Sequence, residues 1–349
     1  MAAVLAGAWR DVPPAPELSP QELSDITPGL LGSGAGALGW WRVRHSDLKT
    51  SPAASSLQQA YRLHTLQAAI HEREIAEVFT LLHAAGVEPV LVKGWAVARL
   101  YPQKGLRPYG DLDLCVRSGE YAAAEAVLQS PAGKQFNIDL HAEFAKLDDH
   151  GLEELYARSR LVQLGGVDVR ILGVEDHLRL LCVHFLRHGA WRPLWLCDVA
   201  VTLESRPPSF DWDLCLGRNR RRADWVACVI GLAHQLLGVS IDDTPVAARA
   251  RHLPAWLLPC VLKTWDKPCA IDHLPPKKFA IAVRHPAQLP NALRVRWPPN
   301  PIAATIDLQG PLNAMPRLSF QIAHCLARLI RFCRRELMHN PQDRSPPVG

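Results

Sequence analysis

The segment Gly110-Asp111-Leu112-Asp113-Leu114-Cys115-Val116 carries the residue types and spacing that most directly imply chemistry. Polar and apolar residues alternate from Asp111 onward, which predicts a β-strand. Residues two apart on a strand share a face, so Asp111 and Asp113 project together while Leu112, Leu114 and Val116 turn toward a core. The two carboxylates stand about 6–7 Å apart at the backbone and repel unless a cation lies between them. A hard divalent ion with oxygen ligands, Mg2+ or Mn2+, suits such a pair. Phe136–His141 repeats the pattern, with Asn137, Asp139 and His141 on one face. If this strand pairs beside the first, Asp139 joins Asp111 and Asp113. Three carboxylates around one or two such ions make a phosphoryl- or nucleotidyl-transfer site. The bland alternative for either strand alone is the polar face of a half-exposed sheet.

Arg107 lies four residues before Asp111, in the loop Pro102–Gly110. Its guanidinium suits a bidentate grip on phosphate, or a salt bridge that fixes the loop. His177, His184 and His188 fall on one helix stripe, and His184 and His188 have the i, i+4 spacing of metal-ligand pairs. That pair would serve a metal-dependent phosphohydrolase, but the chain contains no His-Asp dipeptide and no HExxH. The plainer expectation is a helix face packed on Trp191–Trp195 or lining a nucleotide cleft. Asp198, alone in an apolar helix, belongs either to that cleft or behind it. Arg218, Arg220, Arg221 and Arg222 read as a solvated turn, with an anionic acceptor as the sharper alternative.

These residues need elements to hold them. A helix is expected over Ser56–Ala85, with Ile75, Val78, Phe79 and Leu82 on one face and Gly86 as its stop. The strand Pro89–Val92 follows, then Lys93-Gly94 and a short helix Trp95–Leu100. Tyr121–Gln129 reads as a helix and Val167–Ile171 as the last strand. Helices follow over 174–189, Leu194–Leu203 and Trp225–Leu237. Between Pro254 and Pro316 lie 12 of the 29 prolines, which excludes long regular elements there. Arg317–Leu337 is an amphipathic helix with Leu318, Ile322, Leu326, Leu329 and Cys333 on one side and arginines opposite. It is expected to dock on the body rather than lie on a membrane. The domain organisation expected is a loop and helix segment (1–56), an α/β catalytic unit (57–172), a helical unit (173–240) and a Pro-rich C-terminal region (241–349).

Composition agrees with a globular chain. Of 349 residues, 48% are hydrophobic and 21% charged, and the net charge is +5. This excludes pervasive disorder and a collagen-like fold, and permits an anionic ligand. Nine cysteines without a CxxC pair read as reduced thiols of a cytoplasmic protein. No apolar run has the length of a membrane span, and the first residues lack the pattern of a signal peptide. No membrane partner is expected.

The motifs together resemble the uncharacterised nucleotidyltransferase family, a branch of the polymerase-β-type superfamily. The resemblance runs through Leu91-Val92-Lys93-Gly94, Leu100-Tyr101-Pro102 and Leu106–Val116. It continues through Ile138-Asp139-Leu140-His141, Val174–Leu178, His184 and Trp195–Ala200. It implies an α+β fold, a small mixed sheet flanked by helices and followed by a helical domain. It implies metal binding by Asp111 and Asp113, with Asp139 as the third carboxylate that activates the acceptor. Nucleotide binding is expected from Lys93, Gly94, Arg107, Gly110, His141, His184 and Asp198. Trp95 stands where the wider superfamily has a small residue, so Lys93 is expected to replace that hydroxyl on the phosphate. The activity implied is Mg2+-dependent transfer of NMP from an NTP to an acceptor hydroxyl, with pyrophosphate released. The acceptor stays open among a small molecule, a peptide, a protein and an RNA end. The alternatives are the phosphohydrolase on His184 and His188, or a catalytically silent nucleotide-binding module.

Overall fold

A computed structural model describes residues 1–142, 151–266 and 297–338. Its centre is a five-stranded mixed sheet of order β3-β2-β1-β5-β4. The strands are β1 (Val90–Val92), β2 (Leu112–Val116), β3 (Ile138–Ala142), β4 (Arg160–Leu164) and β5 (Val167–Ile171). β2 runs antiparallel to β1 and parallel to β3, while β5 runs parallel to β1 and pairs antiparallel with β4. β4 is not foreseen from its pattern, because it is an edge strand with mostly solvated side chains. Its sequence signal is Gly165-Gly166, whose φ values of 58° and 84° form the two-residue hairpin turn into β5.

The helices before and within the sheet unit are α1 (Ala2–Leu5), α2 (Pro20–Gly32), α3 (Gly36–Val43), α4 (Pro52–Ala84), α5 (Gly94–Ala98), α6 (Tyr121–Gln129) and α7 (Leu152–Arg158). Ser51 caps α4 by accepting from Ala54 N–H, and Pro52 occupies its first turn, where no donor is needed. Ile75, Val78, Phe79 and Leu82 of α4 pack on one sheet face with Leu91, Leu112, Leu114 and Val116. Val90, Val92, Cys115 and Leu155 fill a smaller cluster on the other face. The expected inward turn of Leu112, Leu114 and Val116 is therefore met, and Asp113 is left on the opposite face.

Six helices follow the sheet: α8 (Val174–Arg187), α9 (Pro193–Glu204), α10 (Trp212–Leu216), α11 (Arg220–Leu237), α12 (Ala247–Arg251) and α13 (Leu257–Trp265). Their core is one large cluster that also takes in Val4, Leu38, Ile302 and Leu312. The first 56 residues thus pack as short helices on the helical core. Asn219 caps α11, so Arg220, Arg221 and Arg222 form its first turn, and Arg222 is buried. Burial pushes the Cys182, Cys197 and Cys215 thiols up, away from thiolate chemistry.

Beyond 297 lie α14 (Pro301–Asp307) and α15 (Leu318–Met338). α15 meets the body, as expected, but its apolar stripe does not. Leu318, Ile322, Leu326 and Leu329 are 44–55% exposed. The helix instead meets the body through Gln321, which donates to Pro299 O, and His324, which bonds Asp307. The surface it meets offers polar partners, so the polar face turns inward. Among the described residues no helix is long and apolar enough to cross a membrane.

The loop between α5 and β2 is fastened to α9 by a buried ion pair. Arg107 donates from Nε to both carboxylate oxygens of Asp198 at 3.2 Å and from Nη2 at 2.8 Å. Tyr101 donates its hydroxyl to the same carboxylate at 2.9 Å. Burial opposes the Arg107 charge, but Asp198 outweighs it and holds the guanidinium pKa above its ordinary value. Removing one partner leaves the other charged and unpaired in the interior. Asp198→Leu should therefore lower unfolding stability by about 3–5 kcal/mol in urea titration. The double change Arg107→Met with Asp198→Leu should recover more than half of that loss. Wild-type stability in the single variant would show that the pair does not fasten the loop.

Candidate active site

β1 is three residues long and its last, Val92, pairs with Asp113. The chain then turns sharply at Lys93, whose φ of 57° and ψ of −145° are rare for a residue with a side chain. Such a conformation costs roughly 1–3 kcal/mol and persists only where its surroundings enforce it. Here the turn delivers the Lys93 ammonium onto the Asp113 carboxylate, with which it forms an ion pair. Gly94 follows with φ of 39° and opens α5. Trp95 is buried in the α4-side core and does not enter the site.

β3 supplies the remaining groups. Its parallel register with β2 sets Asp113 beside Asp139 and Cys115 beside His141. One ligand atom each from Asp113, Asp139 and His141 lies within 4.8 Å of the others. His141 Nε2 stands 3.1 Å from Asp139 Oδ2 and 3.7 Å from Asp113 Oδ1. The Asp113 side chain is 8% exposed, that of Asp139 56%. One carboxylate is thus fixed at the floor and the other is open to an incoming molecule. Two carboxylates and an imidazole suit a divalent cation. The Lys93 ammonium against Asp113 marks the same spot as one where the fold supplies positive charge.

Asp111 departs from the expected pairing. β2 begins at Leu112, where Leu112 N–H donates to Asn137 O, so Asp111 precedes the strand and is exposed. The strand rule that aligns residues two apart does not extend to it. It belongs to no cation-holding group among the described residues, in contrast to Asp113, Asp139 and His141. It nevertheless lines a cavity together with Asp113. That cavity, of ≈ 260 Å³, has Lys93, Gly94, Gly110, Asp111 and Asp113 on one wall and His184, Arg192 and Trp195 on the other.

The other expected residues divide by place. Arg107 borders the cavity, but its donors go to Asp198 and to Pro108 O. Asp198 stands behind it, fully buried. The His184 ring lies 4.4 Å from both His188 and Trp195, so the histidine face packs on the tryptophan and also lines the cleft. Neither His184 nor His188 joins a metal-capable group among the described residues. Arg192 lines the cavity without any motif in the sequence to mark it. It donates from Nε to Ser33 O at 2.7 Å and lies against Gly34, where a Cβ would come within 2.4 Å of Nη2. Nothing in its spacing links it to residues 158 positions earlier or to β2.

A mixed sheet with carboxylates on adjacent strands, facing a helical layer across a cavity, defines a class of fold and site. Residues 37–133 and 130–238 match the family described as uncharacterised nucleotidyltransferase, together more than half of the chain. The chain belongs to this family. No curated protein and no solved structure matches it.

His177 sits away from the cavity, buried on α8 with its Nε2 lacking a protein partner. Burial pushes its pKa down to about 4, despite the pull of Asp198 toward the charged form. The imidazole is neutral in the folded chain and takes a proton near 6.5 when unfolded. The unfolded state therefore binds more protons between pH 6.5 and 4, and stability falls as pH falls through that window. His177→Leu should remove up to about 3 kcal/mol of this loss. Chemical denaturation at pH 7 and pH 4.5 checks it, and equal pH dependence in the two proteins would contradict the burial argument.

Proposed function

We propose that the protein transfers an NMP group from an NTP to a hydroxyl acceptor, with Mg2+ or Mn2+ bound at Asp113 and Asp139. The observation that carries this reading is the direct β2–β3 register that sets Asp139 beside Asp113, the carboxylate that lines a cavity with Lys93 and Trp195. A divalent cation there would withdraw charge from the α-phosphate and stabilise the departing pyrophosphate.

The residues of the chain take distinct parts. Asp113, buried on β2, would anchor the cation. Asp139, half in solvent, reaches the acceptor and takes its hydroxyl proton as the oxygen attacks the α-phosphorus. His141 holds Asp139 in orientation from 3.1 Å away. Lys93 pairs with Asp113 and, with a cation held there, would offer its ammonium to phosphate oxygens. Gly94, Gly110 and Asp111 border the triphosphate, and the Trp195 ring with His184 offers a flat apolar wall to the base. Arg107 and Asp198 support the cavity from behind. The P–O bond to the acceptor forms as the bond between the α- and β-phosphates breaks.

Three measurements test this. Asp113→Asn and Asp139→Asn should each reduce transfer at least about 100-fold, with circular dichroism unchanged. Label on the α-phosphorus should end on the acceptor and label on the γ-phosphorus in pyrophosphate. Transfer of γ-label would assign kinase chemistry to the same site. Release of free phosphate that survives Asp113→Asn and fails on His188→Ala would favour the phosphohydrolase. Mg2+ with NTP should raise Tm, since a ligand of the native state stabilises it, and Lys93→Ala should shrink the rise. An undiminished rise would move the triphosphate elsewhere.

A further inference from the structure

α15 is amphipathic in the wrong sense for a helix that completes a core. Its body-facing side holds two polar anchors beside Phe320, whose ring packs at Gly310: Gln321 donates to Pro299 O at 2.6 Å, and His324 Nε2 lies 3.0 Å from Asp307. Its apolar side is solvent-facing, with Leu318 55%, Ile322 44%, Leu326 55%, Leu329 54% and Ile330 53% exposed. Met315, three residues before its start, is 55% exposed, and Trp297 is 48% exposed. Half of the large hydrophobic residues exposed among the described residues fall between 297 and 330. A concentration of this kind marks an interaction surface, whereas scattered exposed residues do not.

The charge pattern selects what covers it. Leu318–Met338 contains Arg328, Arg331, Arg334 and Arg335 against the single acid Glu336. At 100° per residue, Arg328 and Arg334 fall about 120° to either side of the centre of the stripe, and Arg331 falls opposite it. All three are exposed. Arginines at the flanks of an apolar stripe can extend their charged ends to a headgroup layer while the stripe enters the acyl boundary. A second copy laid on the stripe would set this basic helix against itself. The segment 267–296 is also basic, with Lys267, Lys277, Lys278, Arg284, Arg294 and Arg296 against Asp272. Neither complements the charge, and an anionic bilayer does.

We propose that α15 is a membrane-surface helix that binds anionic lipid with its Leu318–Ile330 stripe in the interface. The helix lies on the bilayer rather than across it. This holds the cleft of the protein near the membrane and is independent of the reaction in the cleft.

The test uses the full-length protein with vesicles of phosphatidylcholine alone and vesicles rich in phosphatidylglycerol. Co-sedimentation should be strong with the anionic vesicles, weak with the neutral ones, and reduced by salt. Leu326→Asp with Leu329→Asp should lower binding at least about tenfold, because the stripe supplies the apolar burial. Arg328→Gln with Arg334→Gln should lower it by roughly tenfold on anionic vesicles only. Melting temperature should stay unchanged in both variants, since the altered side chains are solvated. Absence of binding to anionic vesicles, or equal binding to both kinds, overturns the proposal. A concentration-dependent dimer that Leu326→Asp dissolves would give the stripe to a second copy. A lowered melting temperature in Leu326→Asp without vesicle binding would show that the chain covers its own stripe. Either result overturns it.

Discussion

The buried pair of Arg107 and Asp198 is the constraint on which the cleft depends. Arg107 belongs to the loop that enters β2, and Asp198 belongs to α9. Both lie in the interior, with side chains 6% and 0% exposed. Two charges removed from water are tolerable only when each is fully engaged. Three guanidinium contacts and the Tyr101 hydroxyl meet that condition. The loop that carries Gly110 and Asp111 is consequently held against the helical layer, and its position sets one wall of the cavity. An arginine that sequence spacing suggests for phosphate therefore serves the architecture.

The site then follows from strand register. β1 is short, so the chain turns at the level of Asp113 and Lys93 is forced into an uncommon backbone conformation. β3 lies beside β2 and brings Asp139 and His141 alongside. The result is a gradient from a buried carboxylate paired with a lysine to a solvated carboxylate at the sheet edge. That gradient separates a group suited to anchor charge from one suited to meet an acceptor. The same chain places polar groups inward and apolar groups outward on α15, where the body presents Asp307 and a carbonyl to bond.

Much of this organisation is written in the sequence. Alternation in Leu112–Val116 and Phe136–His141 specifies two strands and sets Asp113 opposite the apolar face of the first, because side-chain period on a strand is fixed by backbone geometry. The 3.6-residue period of Ile75, Val78, Phe79 and Leu82 specifies which side of α4 covers the sheet. The order of the motifs from Lys93 to Asp198 carries the family. These features are local, and a local rule needs no partner to be read.

What the tertiary structure alone decided is who stands next to whom. Whether Asp111 joins Asp113 depends on where β2 starts, and that is set by pairing with Asn137 rather than by alternation. Whether Arg107 meets phosphate or Asp198 depends on a contact across 91 residues. Arg192 reaches the cavity only because Ser33, 159 residues earlier, holds it there. β4 carries no apolar period, since an edge strand with solvated side chains has none to show. The outward stripe of α15 has the same origin: amphipathicity states that a helix has an apolar face, while the neighbouring surface determines which face it turns inward.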